Sequence, residues 1–249
     1  MLMPPMNRPA LRSPPSIADR FAALDWTALG AALDAQGCAV LPAVLSAEDC
    51  TALAGLYDDE ARFRSRVVMS RHGFGSGEYK YFAYELPDLV AALREALYPP
   101  LAAVANAWAE RLGEARRFPP AFGAWLAACH RAGQTKPTPL LLRYVAGDYN
   151  CLHQDLYGEH VFPLQATFLL SAPGRDFAGG EFGLTEQRPR MQSRAEVVPL
   201  AQGDGVVFAV RERPVKGTRG FYRVQLSHGV SRVRAGNRTT LGVIFHDAR

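Results

Sequence analysis

The sequence predicts an α+β fold, a mainly helical N-terminal half followed by a β-sandwich or jelly roll. Three observations carry this. Up to residue 133, apolar residues recur mostly at steps of three and four, as along one face of a helix. After Pro139 the texture changes to eight short β-rich runs parted by Gly, Pro and Asp turns, within about 110 residues. The composition, 48% hydrophobic and 21% charged over 249 residues, is that of an ordinary globular chain and excludes wholesale disorder.

The elements follow in order. Met1 to Ser16 holds five prolines and no apolar stretch of the kind a secretory signal needs, so it is expected to be a disordered lead-in. From Asp25 a helix is predicted on Trp26, Leu29, Ala32 and Leu33, with Gly37 as its stop. Cys38 to Leu41 then reads as a buried strand closed by Pro42. Ser46 opens a second helix as N-cap, with Glu48 and Asp49 in its first turn. Val67 to Met69 and Tyr79 to Phe82 read as short strands around a turn rich in glycine (Gly73, Gly75, Gly77). Helices are expected over Pro87 to Gly113 and Pro119 to Gly133, so that residues 17 to 133 are largely helical.

The eight later strands are expected at Leu140 to Val145, Asn150 to Asp155, Pro163 to Ser171 and Gly180 to Leu184, then at Glu196 to Leu200, Val206 to Val210, Arg223 to His228 and Thr239 to His246. One domain of roughly 200 to 250 residues suits such a fold. We therefore expect a single domain over 17–249, in which 17–138 supports a β core in 139–249.

Several function classes are disfavoured by composition. The longest apolar run, Cys38 to Leu45, is eight residues and broken by Pro42, too short to cross a membrane. The four cysteines (Cys38, Cys50, Cys129, Cys151) form no CxxC pair and read as reduced thiols of a cytoplasmic protein. The net charge of +4 is modest beside strongly basic nucleic-acid binders. The 25 arginines against three lysines read first as a coding bias, although Arg forks also suit phosphate and carboxylate.

Among six histidines, two stand out. His153 and Asp155 lie two residues apart at the end of one predicted strand, so both can face one side and share an ion. His228 closes another strand 73 residues later. Two imidazoles and one carboxylate make a facial set that leaves three adjacent metal positions open, as a non-heme Fe(II) oxygenase requires. Alone, His-x-Asp is a weak signal. It gains weight from Arg238, ten residues past His228, whose guanidinium can grip a carboxylate in two-pronged fashion, and from Tyr144, nine residues before His153.

At these residues the chain resembles the Fe(II)/2-oxoglutarate-dependent dioxygenases. Leu142-Arg-Tyr144, Gly147 and Leu152-His-Gln-Asp155 look like the matching stretch of AlkB-type nucleic-acid dealkylases. Gly179-Gly-Glu-Phe182, Gly203-Asp-Gly-Val-Val-Phe208 and the run from His228 to Arg238 look more like the prolyl-hydroxylase-like branch. The whole chain resembles a bacterial family of such oxygenases expected to demethylate damaged nucleic acids oxidatively. The resemblance implies a double-stranded β-helix core and Fe(II) held by His153, Asp155 and His228. It further implies 2-oxoglutarate anchored by Arg238 and Tyr144, and O₂ as co-reactant, with succinate and CO₂ as products and ascorbate as a supporting reductant. Single-stranded nucleic acid is the partner it suggests; a protein hydroxylase of prolyl type and a non-catalytic 2-oxoglutarate or nucleic-acid binder remain alternatives. One departure matters: where AlkB-type enzymes carry a second arginine six residues past the first, this chain has Ile244.

Other candidates have two readings each. Phe74, Tyr79, Tyr81, Phe82 and Tyr84, flanked by Arg66, Arg71 and Lys80, could stack a base, although the alternation of Tyr79 and Tyr81 reads first as a core face. Arg211 to Arg223, and Arg188, Arg190 and Arg194, are basic loops that either face substrate or are simply solvated. His72 and His160 read as loop residues, His246 as structural, and His130 as a charge at a helix end.

Overall fold

The computed structural model describes residues 15–156 and 158–249. The expected lead-in, Met1 to Ser16, lies outside the described residues except for its last two. Ser16 itself caps the first helix, α1 (Ile17–Ala22), in a capping box with Asp19. α2 (Trp26–Gln36) is capped by the Asp25 carboxylate on the Ala28 N–H and ends at Gly37. β1 (Cys38–Leu41) follows, and then α3 (Ala47–Gly55), where Ser46 and Asp49 form a second capping box.

β2 (Phe63–Val68), β3 (Gly75–Ser76) and β4 (Glu78–Phe82) surround the glycine-rich turn, with β2 beginning four residues earlier than expected. α4 (Asp88–Arg111) runs straight through Pro99 and Pro100, and α5 (Phe122–Arg131) follows. An interior proline costs a helix about 3 kcal/mol. Leu93, Leu97, Tyr98, Leu101 and Trp108 offset that by burying α4 along its length, at about 1.5–3 kcal/mol for each large side chain. Tyr98 leads into an aromatic cluster centred on Phe162, whose ring lies 5.0–5.3 Å from those of Tyr98, Phe118 and Phe245.

The strands of the second half are β5 (Leu140–Val145), β6 (Tyr149–His153), β7 (Leu164–Leu169), β8 (Phe177–Gly179) and β9 (Phe182–Gln187). They continue as β10 (Arg194–Val198), β11 (Gly205–Ala209), β12 (Glu212–Gly217), β13 (Gly220–Val230) and β14 (Val233–Val243). All eight expected strands are present, and β8 and β12 are additional. Two antiparallel sheets result. One has the order β1-β11-β7-β14-β5-β4-β2 with β8 on β14, and the other β10-β9-β13-β6-β3 with β12 on β13. This is the double-stranded β-helix expected of the chain.

Two expectations need correction. The N-terminal half is not only a helical support, because β1, β2 and β4 extend the larger sheet. β1 pairs with β11 and β4 with β5, partners more than 50 residues away that no local pattern identifies. Arg211 to Arg223 is not a basic loop but most of the β12–β13 hairpin, with Arg213 opposite Val224 and Pro214 opposite Arg223.

Candidate metal and cosubstrate site

A cavity of about 250 Å³ opens between the two sheets. β6 and β13 place His153 directly opposite His228 in register, with ring centroids 4.2 Å apart. Asp155 lies two residues past the end of β6 rather than on the strand as expected, yet still turns back to both rings. Its Oδ1 is 3.4 Å from His153 Nε2 and its Oδ2 is 3.4 Å from His228 Nε2. One ligand atom from each of the three residues falls within 4.8 Å of the others, a group that could hold a metal ion.

The electrostatics suit that use. Burial alone would raise the Asp155 carboxyl, but hydrogen bonding and charge from the two imidazoles hold it well below the usual range, so it is anionic. Burial pushes His228 down from its usual value, with the Asp155 carboxylate pulling the other way. Burial pulls His153 down too, but the Asp155 carboxylate outweighs it and raises it overall. Phe208 packs 4.5 Å from the His228 ring and fixes its tilt.

Tyr144 and Arg238 face the same cavity as cross-strand partners on β5 and β14. Arg238 is 2% exposed, and its Nε and Nη1 have no hydrogen-bond partner among the described residues. Burial pulls its pKa down to about 10, so it stays cationic near neutrality. Burial pushes the Tyr144 hydroxyl up to about 12, against the pull of Arg238 and Asn150, and the buried Oη lacks a hydrogen bond of normal geometry. A buried cation beside a buried hydroxyl, both with unused donors, is the environment a carboxylate fills, and the residues present thus fit 2-oxoglutarate as well as the metal. Arg234, four residues earlier, is exposed.

Two glycines make room for this arrangement. A Cβ on Gly180 (φ +66) would come within 2.9 Å of Arg238 Cδ, and one on Gly77 (φ +121) within 2.9 Å of a Tyr144 ring carbon. Both φ values lie where only glycine is at ease. Ile244, at the place of the second arginine of AlkB-type enzymes, lines the cavity with an apolar side chain.

Tyr79 and Tyr81, read first as core, instead line the cavity, 5.4 Å apart edge to face. Phe74, 47% exposed, stands at the mouth with the His72 ring stacked on it at 5.3 Å. Most flanking cations are otherwise engaged. Arg66 pairs with Glu78 and buried Lys80 with Glu60. Arg188 and Arg213 pair with Glu186, and Arg223 with Glu114 and Glu212. The remaining histidines are structural: His246 accepts the Phe162 N–H, His130 bonds Asp247, and the His160 main chain is held by Gln134.

Sequence reasoning missed Gln165. This β7 side chain is 5% exposed, and its Nε2 donates to Asp155 Oδ2 at 2.8 Å and lies 3.2 Å from His228 Nε2. An amide in the mostly apolar strand Leu164–Leu169 was the available signal.

A double-stranded β-helix with a His-x-Asp…His group in its cavity is an arrangement suited to an oxygenase of the 2-oxoglutarate-Fe(II) type. Residues 77–248 match the model of the family Oxygenase-NA, described as an oxygenase catalysing oxidative methylation of damaged DNA, and the chain belongs to that family. Uncharacterized proteins of two Mycobacterium tuberculosis strains are 49% identical over 167 residues, covering 67% of this chain and 72% of each relative. A Pseudomonas putida prolyl-4-hydroxylase shares the fold at TM-score 0.51 and 15% identity, over 90% of this chain and 99% of its own. The alpha-ketoglutarate-dependent epimerase SnoN of nogalamycin biosynthesis does so at 0.52 and 17%, over 87% and 81%. Among the described residues no helix is long and apolar enough to cross a membrane.

Proposed function

We propose that this protein is an Fe(II)- and 2-oxoglutarate-dependent dioxygenase that removes methyl groups from damaged, single-stranded nucleic acid. The observation that carries the reading is the placement of His153, Asp155 and His228 in one cavity with the buried Arg238, whose Nε and Nη1 have no hydrogen-bond partner among the described residues. His153, Asp155 and His228 would hold the metal through two nitrogens and one oxygen, leaving adjacent positions for cosubstrate and O₂. Arg238, with Tyr144, would grip the far carboxylate of 2-oxoglutarate and so fix the end that reacts. Tyr79, Tyr81 and Phe208 wall the cavity with rings and limit water. With iron bound, 2-oxoglutarate and O₂ supply the oxidation of a substrate C–H bond, with succinate and CO₂ released.

The family description supports a nucleic-acid substrate. Oxidation of an N-linked methyl carbon yields an N-hydroxymethyl group whose N–C bond breaks to release formaldehyde and leave N–H, so the chemistry of an oxygenase there is demethylation. The aromatic mouth of Phe74 and His72 supports recognition of an unstacked base. The reduced cysteines support a cytoplasmic setting.

The test is methylated single-stranded DNA or RNA with Fe(II), 2-oxoglutarate and ascorbate, measuring formaldehyde and succinate together. Coupled release of both is expected, with binding weakening as salt rises by about 0.7 log units per phosphate contacted and log unit of salt. Succinate release stimulated by a proline-containing peptide, and by no methylated oligonucleotide, would assign the protein to protein hydroxylation. Binding of 2-oxoglutarate with no turnover on either would make it a non-catalytic relative.

A further inference from the structure

We propose that Gln165 is a positioning residue of the metal centre, holding Asp155 and His228 in place through its side-chain amide; this rests on the metal-centre reading above. Gln165 sits on β7 in the larger sheet, whereas His153 and His228 come from the smaller one. Its Nε2 is 2.8 Å from Asp155 Oδ2 and 3.2 Å from His228 Nε2.

The orientation of the amide follows from its hydrogen bond: Gln165 Nε2 can only donate, and Asp155 Oδ2 accepts at 2.8 Å. A primary amide nitrogen carries two hydrogens. The second points to His228 Nε2, 3.2 Å away, whose ring nitrogen can accept it. One side chain thereby occupies a lone pair on each of two ligands from different segments of the chain, 73 residues apart. Without it, a buried carboxylate oxygen and a buried ring nitrogen would lose their fixed partner, and the ligands would be free to turn away from each other.

With metal bound, His228 Nε2 would give up its lone pair to the ion, and the Gln165 amide would be left on Asp155 alone. The bond to Asp155 Oδ2 can persist, leaving Oδ1, which already faces His153 Nε2 at 3.4 Å, to bind the ion. Partners of this kind typically change metal affinity 10- to 100-fold when removed.

The experiment is a Co(II) titration of the metal-free full-length protein, followed by calorimetry, for wild type and two variants of similar volume without donors, Gln165→Met and Gln165→Leu. Thermal melts of the metal-free proteins run alongside. A Kd raised 10- to 100-fold in a folded variant is expected, with less stabilisation by added Co(II) than in wild type. A variant that folds and binds Co(II) within about twofold of wild type, or more tightly, overturns the proposal, since pure packing would lower the melts with and without metal equally. If both variants fail to fold, Gln165 is a structural residue and the proposal also falls. A wild-type protein that takes up no Co(II) overturns the metal-centre reading itself, an outcome visible before any variant is compared.

Discussion

Arg238 and Tyr144 stand opposite each other on β14 and β5, and both bury polar atoms that lack a hydrogen bond of normal geometry among the described residues. A fold leaves a guanidinium in that state only where something else completes it, because burying a charge without a partner is costly. An anionic cosubstrate would complete it here.

The Arg238→Ala variant is therefore expected to raise the apparent 2-oxoglutarate constant at least tenfold while leaving metal binding intact. Losing a buried charge partner costs about 2–5 kcal/mol. Arg234→Ala, at an exposed position, should leave the constant unchanged. Cosubstrate titrations of the two variants in parallel check the assignment, and the opposite pattern would transfer the role to Arg234.

Removing the anionic ligand should abolish the centre. Asp155→Ala is expected to lower Fe(II) or Co(II) affinity about 100-fold or more and to abolish succinate formation. Stoichiometric metal with full turnover in this variant would place the site elsewhere.

Gly180 offers a test of the cosubstrate pocket that leaves every polar group intact. In Gly180→Ala the new methyl meets Arg238 Cδ and Val233 Cγ2 at 2.9 Å, on a backbone at φ +66. The guanidinium must shift, and about tenfold weaker 2-oxoglutarate binding is expected, equivalent to about 1.4 kcal/mol, with metal affinity unchanged. Equal cosubstrate affinity in variant and wild type would show that Arg238 has room to adjust.

Acid should destabilise the protein through His246. Burial, with Arg94 nearby, pulls this imidazole down from 6.5 to about 4, so the folded chain keeps it neutral where the unfolded chain takes up a proton. A depressed histidine contributes stability that is present above pH 6.5 and lost as pH falls from there towards 4, by about 3 kcal/mol over the whole window. His246→Asn retains an acceptor for the Phe162 N–H but does not titrate. Urea unfolding at pH 7 and pH 4.5 should show a smaller pH-dependent loss in the variant; parallel losses would contradict a neutral buried His246.

Much of the molecule was legible in its sequence. The limits of the strand at Leu140–Val145 follow from a run of apolar residues between Pro139 and Ala146-Gly147, and the caps at Asp25 and Ser46 are local chemistry within four residues. His153, Asp155, His228, Arg238 and Tyr144 stand out by residue type, order and spacing, and folding brings all five to one cavity.

What no pattern within the sequence contains is which distant segment meets which. Pairing with β5 turns Tyr79 and Tyr81 into the cavity, while the alternating Glu78 and Lys80 of the same strand pair with Arg66 and Glu60. Local alternation defines two faces of a strand but not which of them meets a core, a cavity or solvent. Gln165 and Gly180 gain their roles in the same way, one by lying against ligands from the opposite sheet and the other by leaving space that Arg238 fills. Residue identity and order are thus enough for the chemistry of the ligands and the local caps. The satisfaction or deprivation of a buried polar atom depends on neighbours tens of residues away, and it exists only once the two sheets have closed on each other.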